Sequence, residues 1–290
     1  ERGHGTLWRS HAEFIADENG IVDLSKQSPL RGSYSGIDPM GLISSQKPDK
    51  KDARELFPAN MLIPLETIVT VIVDAKVVQS GFTQRIAAQG VQRIEIQEKN
   101  LVGTVYLPAT KGPHPAIMIL NGSGGGINEH RAALYASRGY IAFSLAYFKA
   151  PGLSDYISNT PLEYFKQGLD WLRQTYAPLN NFVAINGQSR GGELVLLLAS
   201  LFPEDVSAVI AYVPAAFVHS GQNAADPIVG REGPTWLFQG KPLPHIWENN
   251  KSATWAPFDE GPAPHRHEKA ILTALKDTNA IEKARIPVER

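Results

Sequence analysis

Gly187-Gln188-Ser189-Arg190-Gly191 lies between two apolar runs, Phe182-Val183-Ala184-Ile185 before it and Glu193-Leu194-Val195-Leu196-Leu197-Leu198-Ala199 after it. The order is strand, tight turn, helix, with Ser189 at the turn. A sharp turn of that kind exposes the hydroxyl, and glycines two residues to either side remove side chains that would collide there. The N-terminus of the helix behind it favours negative charge. A nucleophilic serine belongs in such a place. The pentapeptide alone also fits an ordinary Gly-rich helix start. The flanking strand and helix, and a second glycine loop upstream, favour the catalytic reading.

The chain around this turn reads as alternating strands and helices from about residue 89. Arg93-Ile94-Glu95-Ile96 and Val102 to Leu107 suit a hairpin. Ala116-Ile117-Met118-Ile119-Leu120 is a continuous apolar run, as expected for a buried parallel strand. A helix is expected over about 128–138, with Gly139 as its C-terminal stop, then a strand over 141–146. Thr160-Pro161-Leu162-Glu163 reads as a capping box with Pro at the first helical position. The helix it opens places Leu162, Phe165, Leu169 and Leu172 on one face. A further strand follows over 207–213. Such alternation predicts a parallel sheet with helices on both faces. Residues 214–264, rich in Pro, Gly, Trp and His, break the pattern and read as an irregular, lid-like region. Residues 265–277 are expected to be helical again.

Residues 1–88 have a different grammar. Short β-type segments, including Ile21-Val22-Asp23-Leu24, Thr67 to Val73 and Lys76 to Ile86, are punctuated by Gly and Pro, and no long amphipathic helix intervenes. This predicts an all-β sandwich of immunoglobulin-like type. The fold class expected is therefore α/β, an all-β sandwich over 1–88 followed by an α/β domain over 89–290.

Composition excludes several functions. A net charge of −1 without a basic block gives no reason to expect nucleic acid. No stretch is apolar over membrane-spanning length. The chain contains no cysteine, so it has no disulfide, no thiolate nucleophile and no Cys-ligated metal. This suits a cytoplasmic protein. His265-Arg266-His267 lacks zinc-site spacing, and no metal or cofactor is expected.

Acyl transfer requires a nucleophile, a base and donors for the developing oxyanion. Ser189 is the nucleophile. The backbone N–H of Arg190 is one expected donor. The second comes from the loop Asn121-Gly122-Ser123-Gly124-Gly125-Gly126, with the N–H groups of Ser123 and Gly124 as candidates. A phosphate cradle is the competing reading of that loop, but the Gly-Lys-Ser/Thr of a Walker-type loop is missing. The base is harder to place. The order for this arrangement is Ser, acid, His. His219, His245, His265 and His267 follow Ser189, as do Asp226, Asp259 and Asp277, yet none follows an obvious strand. His130 and Arg131, at the start of a helix beside the glycine loop, suit packing or substrate contact better than base catalysis.

These residues also carry a family likeness. Ala16 to Leu24, with Gly32-Ser33-Tyr34-Ser35-Gly36-Ile37-Asp38-Pro39-Met40-Gly41-Leu42, resembles the N-terminal domain of the acyl-CoA thioesterase / bile acid-CoA:amino acid N-acyltransferase family. Gly122 to Gly126 with Glu129 and Arg131-Ala132, then Leu145-Ala146-Tyr147-Phe148, Leu162-Glu163-Tyr164-Phe165 and Gly187 to Leu194, resemble further segments of it. The resemblance implies an α/β-hydrolase domain after the sandwich and a Ser or Cys nucleophile acting on acyl-CoA thioesters. Arg190 stands where the family usually has Lys. Ile286-Pro287-Val288-Glu289-Arg290 resembles the segment just before the strand presenting the family's triad Asp. By this likeness the catalytic domain is C-terminally incomplete, and the triad Asp and His lie outside the sequence, on further sequence or on a second polypeptide. The expected function is acyl-CoA hydrolysis through an acyl-serine. The rival readings are an esterase or acyltransferase with another donor or an amine acceptor, and a non-catalytic subunit or fragment.

Overall fold

The computed structural model describes residues 7–49, 62–221, 234–245 and 285–286. They fall into two compact units, divided between Ile86 and Ala87. The first is β-rich. Strands β1 (Trp8–Arg9), β2 (Ala12–Glu13) and β3 (Arg31–Gly32) are followed by one helical turn, α1 (Gly41–Ser44), and β4 (Lys47–Pro48). β1 pairs with β4 and β2 with β3, both antiparallel. The long strands β5 (Leu65–Val73) and β6 (Lys76–Gln84) form an antiparallel hairpin in continuous register. Asp74 and Ala75 turn it, both at positive φ, the backbone a two-residue hairpin loop requires. Ile21 to Leu24, expected as a strand, is not one. Asp17 instead closes a turn, its carboxylate accepting from the amides of Asn19 and Ile21.

The second unit is built on a six-stranded sheet. Its elements are β7 (Gln92–Glu98), β8 (Leu101–Leu107), β9 (Ala116–Leu120), α2 (Glu129–Ala136), β10 (Ile141–Ala146), β11 (Thr160–Pro161), α3 (Leu162–Tyr176), β12 (Val183–Gln188), α4 (Arg190–Leu201), β13 (Ala208–Tyr212), β14 (Trp236–Phe238) and β15 (Lys241–Pro242). The sheet order is β13-β12-β9-β10-β8-β7. The first four strands are mutually parallel, and β8 and β7 join as an antiparallel hairpin. β9 and β10 are buried along their whole length, which is why β9 reads as an unbroken apolar run; the one polar residue of β10, Ser144, is buried with the rest. β13, at the edge, is half exposed.

Helices cover both faces. Gly168 of α3 approaches Leu145 and Met118 so closely that a Cβ there would lie 2.9 Å from Leu145. On the opposite face, Ser144 Oγ accepts from the Asn128 amide at 2.7 Å, and Asn186 Oδ1 accepts from Arg131 at 3.1 Å, both at the start of α2. Asn128 caps α2 by accepting from the Arg131 N–H. Leu162, Phe165, Leu169 and Leu172 of α3 are all fully buried, each worth about 1.5–3 kcal/mol relative to exposure.

Two expectations are corrected here. The capping box does not form. Thr160 and Pro161 pair with β14 as a parallel strand, and the helix starts one residue later with no side-chain cap. Glu163 instead accepts from the Gln239 amide at 2.7 Å. A strand partner some 75 residues downstream has taken the backbone that a cap needs. Second, the region expected to be irregular carries structure where it is described. β14 and β15 join β11 in a three-stranded sheet, and Trp236 is fully buried. The rest of the lid-like stretch, and the helix expected over 265–277, lie outside the described residues. Among the described residues no helix is long and apolar enough to cross a membrane.

Candidate active site

In the parallel part of the sheet, β9 connects forward to β10 on one side, while β12 returns to its other side. The carboxyl ends of β9 and β12 therefore flank a topological switch point, where α/β sheets bind ligands. The glycine loop follows β9 and Ser189 follows β12, so the topology brings together the two motifs singled out in the sequence.

Ser189 occupies φ 56°, ψ −118° between β12 and α4. A side-chain-bearing residue in such a region costs on the order of 1–3 kcal/mol and persists only where its surroundings impose it. The imposing contacts are visible. The Ser189 N–H donates to the Tyr212 carbonyl at 2.9 Å, and its carbonyl accepts from Glu193 N at 3.1 Å. A Cβ on Gly187 would overlap the carbonyl oxygen of Gly191, and one on Gly191 would press on the carbonyls of Leu120 and Asn121. The two glycines are thus space requirements of the turn.

The glycine loop sits against this turn. A Cβ on Gly122 would lie 2.7 Å from the Gln188 carbonyl oxygen and 3.2 Å from Ser189 Cβ. Within the loop, Gly122 N–H donates to Asn121 Oδ1, Gly125 N–H to the Gly122 carbonyl, and Gly126 N–H to the Phe148 carbonyl. Ser123 and Gly124 are the two central residues of the turn that the Gly125 bond closes, and that bond does not use their amides. Asn121 Nδ2 bonds the Gly125 carbonyl at 2.7 Å, and the Tyr147 hydroxyl donates to the Asn121 carbonyl at 2.6 Å. Burial pushes the Tyr147 phenol well above its ordinary range, so it stays a donor. Gly122→Ala should slow reaction of Ser189 with an alkyl fluorophosphonate by about 10²-fold, the scale of losing one oxyanion donor. Unchanged labelling of folded protein would show that the loop does not serve the serine.

Arg131 adds a cation on the α2 side. Its Nη2 donates to Gln188 Oε1 at 2.6 Å, and its guanidinium lies over the Tyr212 ring at 5.1 Å. His130 beside it is held below the usual imidazole range by burial first and the Arg131 charge second.

The other flank of the Ser189 turn holds a feature not singled out in the sequence. Glu193 is almost completely buried, yet it accepts from Arg190 Nη1 at 3.2 Å, His219 Nδ1 at 2.7 Å and Trp236 Nε1 at 2.9 Å. Burial alone would raise its carboxyl pKa. The Arg190 charge and the bonds from His219 and Trp236 outweigh that, and the net shift is downward. An ionised carboxylate only accepts, so His219 Nδ1 is the donor. Glu193 is the lone charged residue in the apolar run after Gly192, a signal that was open to reading.

Among the described residues no histidine bonds the Ser189 hydroxyl. His219 is committed to Glu193 through Nδ1, and His245 Nδ1 contacts the Leu243 carbonyl at 3.0 Å. His265, His267, Asp226, Asp259 and Asp277 lie outside the described residues.

The chain is similar to known proteins over most of its length. Residues 1–98 match the model of the acyl-CoA thioester hydrolase/BAAT N-terminal region, and residues 160–286 match that of the BAAT / acyl-CoA thioester hydrolase C terminal. Mouse acyl-coenzyme A thioesterase 6 is 34% identical over 215 residues, covering 71% of this chain and 50% of that protein. Rat acyl-coenzyme A thioesterase 1 is 30% identical over 297 residues, covering 99% of this chain and 64% of that protein. The chain spans about half the length of the curated relatives it matches. Among solved structures, a Pyrobaculum calidifontis esterase superposes with a TM-score of 0.38 at 21% identity, over 47% of this chain and 48% of that one. With one family model matched at each end, and the serine turn and glycine loop set side by side, the chain belongs to the acyl-CoA thioester hydrolase/BAAT family.

Proposed function

We propose that this protein is the nucleophile-bearing part of a serine-dependent acyl-CoA thioester hydrolase. The observation that carries the reading is the strained Ser189, held at the switch point with Gly122 packed against it. In this reading residues 1–88 form an immunoglobulin-like sandwich and 89–290 the catalytic domain. Ser189 Oγ attacks the thioester carbonyl as a base takes its proton. The N–H of Arg190, with that of Ser123 or Gly124, receives the oxyanion. The intermediate collapses with loss of the CoA thiolate, a better leaving group than an alkoxide. Water then attacks the acyl-serine and releases the fatty acid. Serine favours this outcome, because an oxygen ester suits hydrolysis while a thioester suits aminolysis. The base and its acid come from outside the described residues, on this polypeptide or on a second one.

The test uses protein purified natively, with any chain that co-purifies. It is offered an acyl-CoA, a p-nitrophenyl ester of the same acyl group, and the acyl-CoA with an amine acceptor. Release of CoA thiol with formation of free acid, at a kcat/KM at least about tenfold above that for the ester, is expected. Ester-only turnover, or acyl transfer to the amine, would replace this reading with an esterase or an acyltransferase. Inertness toward all three would favour a non-catalytic role.

A further inference from the structure

Glu193 has no part in the chemistry above, although it lies one helical turn from the nucleophile. Its donors come from separate stretches of chain: Arg190 on the first turn of α4, His219 after β13, and Trp236 on β14. His219 also donates through its backbone N–H at 3.3 Å. A buried ion pair is in general no more stabilising than apolar side chains of the same volume. Stability therefore gives little reason to place a carboxylate there.

We propose that Glu193 is a positioning residue for the oxyanion donor, acting through the side chain of Arg190. This rests on the reading of Ser189 as nucleophile and Arg190 N–H as donor. Arg190 is the first residue of α4, where the helix dipole disfavours a cation. Left to itself its guanidinium would turn out to water. Instead Nη1 bonds Glu193, Nη2 donates to the Ser220 carbonyl at 3.1 Å, and the side chain is only 9% exposed. The residue is fixed at both ends, by its guanidinium between Glu193 and the Ser220 carbonyl and by its backbone between Ser189 and Gly191. The direction of its N–H is thereby set before a substrate arrives, which is what makes an oxyanion donor effective. Trp236 and His219 hold the carboxylate in turn. Thr235 Oγ1 donates to the His219 carbonyl at 2.6 Å and closes the arrangement.

The experiment compares E193Q, R190K and R190M with the wild type in natively purified protein. It reads kcat and KM for acyl-CoA, the rate of Ser189 labelling by an alkyl fluorophosphonate, and the thermal midpoint. E193Q and R190M should lose about 10²-fold in kcat and in labelling rate, with KM within about threefold. R190K keeps the cation on Glu193 and should recover most of the loss, which a space-filling role would not require. Undiminished kcat in folded E193Q would overturn the proposal, and so would R190K as impaired as R190M. Should E193Q fail to fold, the two arginine variants decide. Wild-type labelling without acyl-CoA turnover removes the substrate assignment but leaves the labelling series to judge the positioning role. A wild type that does not label at Ser189 removes both.

Discussion

Replacing Ser189 with alanine is expected to lower acyl-CoA turnover by at least about 10³-fold, the scale on which removal of a covalent nucleophile acts. The substitution takes away one oxygen and little else. The bonds that impose the turn run through the backbone of residue 189, to Tyr212 and from Glu193, and alanine keeps both. The thermal midpoint should therefore move little, and KM should stay within about threefold, because the proposed oxyanion donors are backbone groups. Release of CoA thiol, followed by a chromogenic disulfide, measures the effect. Turnover that survives the substitution would remove Ser189 from the chemistry and leave the strained turn without a function.

Gly187→Ala should act on the fold itself. The added methyl would overlap the carbonyl oxygen of Gly191. Backbone on both sides leaves no flexible side chain to give way. Either β12 shifts in a sheet whose central strands are fully buried, or α4 moves off it. We expect a loss of at least about 3 kcal/mol in urea unfolding, above the usual cost of overpacking. Gly124→Ala is the control. A Cβ there meets nothing within 4 Å, and the change should stay within about 0.5 kcal/mol. Equal stabilities for the two variants would mean that the turn at Ser189 is looser than its contacts indicate.

What could be read from the residues was mostly what depends on near neighbours. The runs at 116–120 and 141–146 gave their strands to the residue, because burial on both faces keeps them almost wholly apolar, Ser144 being the one polar side chain in either. The serine turn was legible because Gly187 is required locally, by the Gly191 carbonyl four residues on, whereas the need for Gly191 comes from the distant Leu120 and Asn121 carbonyls. The capping box misled because Thr160 finds its partner in Trp236, at a separation no local pattern reports. Ile21 to Leu24 has the composition of a strand, but among the described residues no strand pairs with it, and Asp17 takes the amides of Asn19 and Ile21. Glu193 went unassigned as a hub because its donors are spread over more than forty residues. The base could be placed neither from the residues nor among those described.

The bond from the Ser189 amide to the Tyr212 carbonyl continues the ladder between β12 and β13 by one more rung. Ser189, the proposed nucleophile, is therefore moored to the sheet, although it stands at the entrance of a helix. A serine on a free loop would surrender its orientational freedom each time a substrate docked, and each encounter would be weaker for it. Here that freedom has already been given up during folding, along with that of the neighbouring strands, and the entropy of alignment no longer weighs on the catalytic encounter.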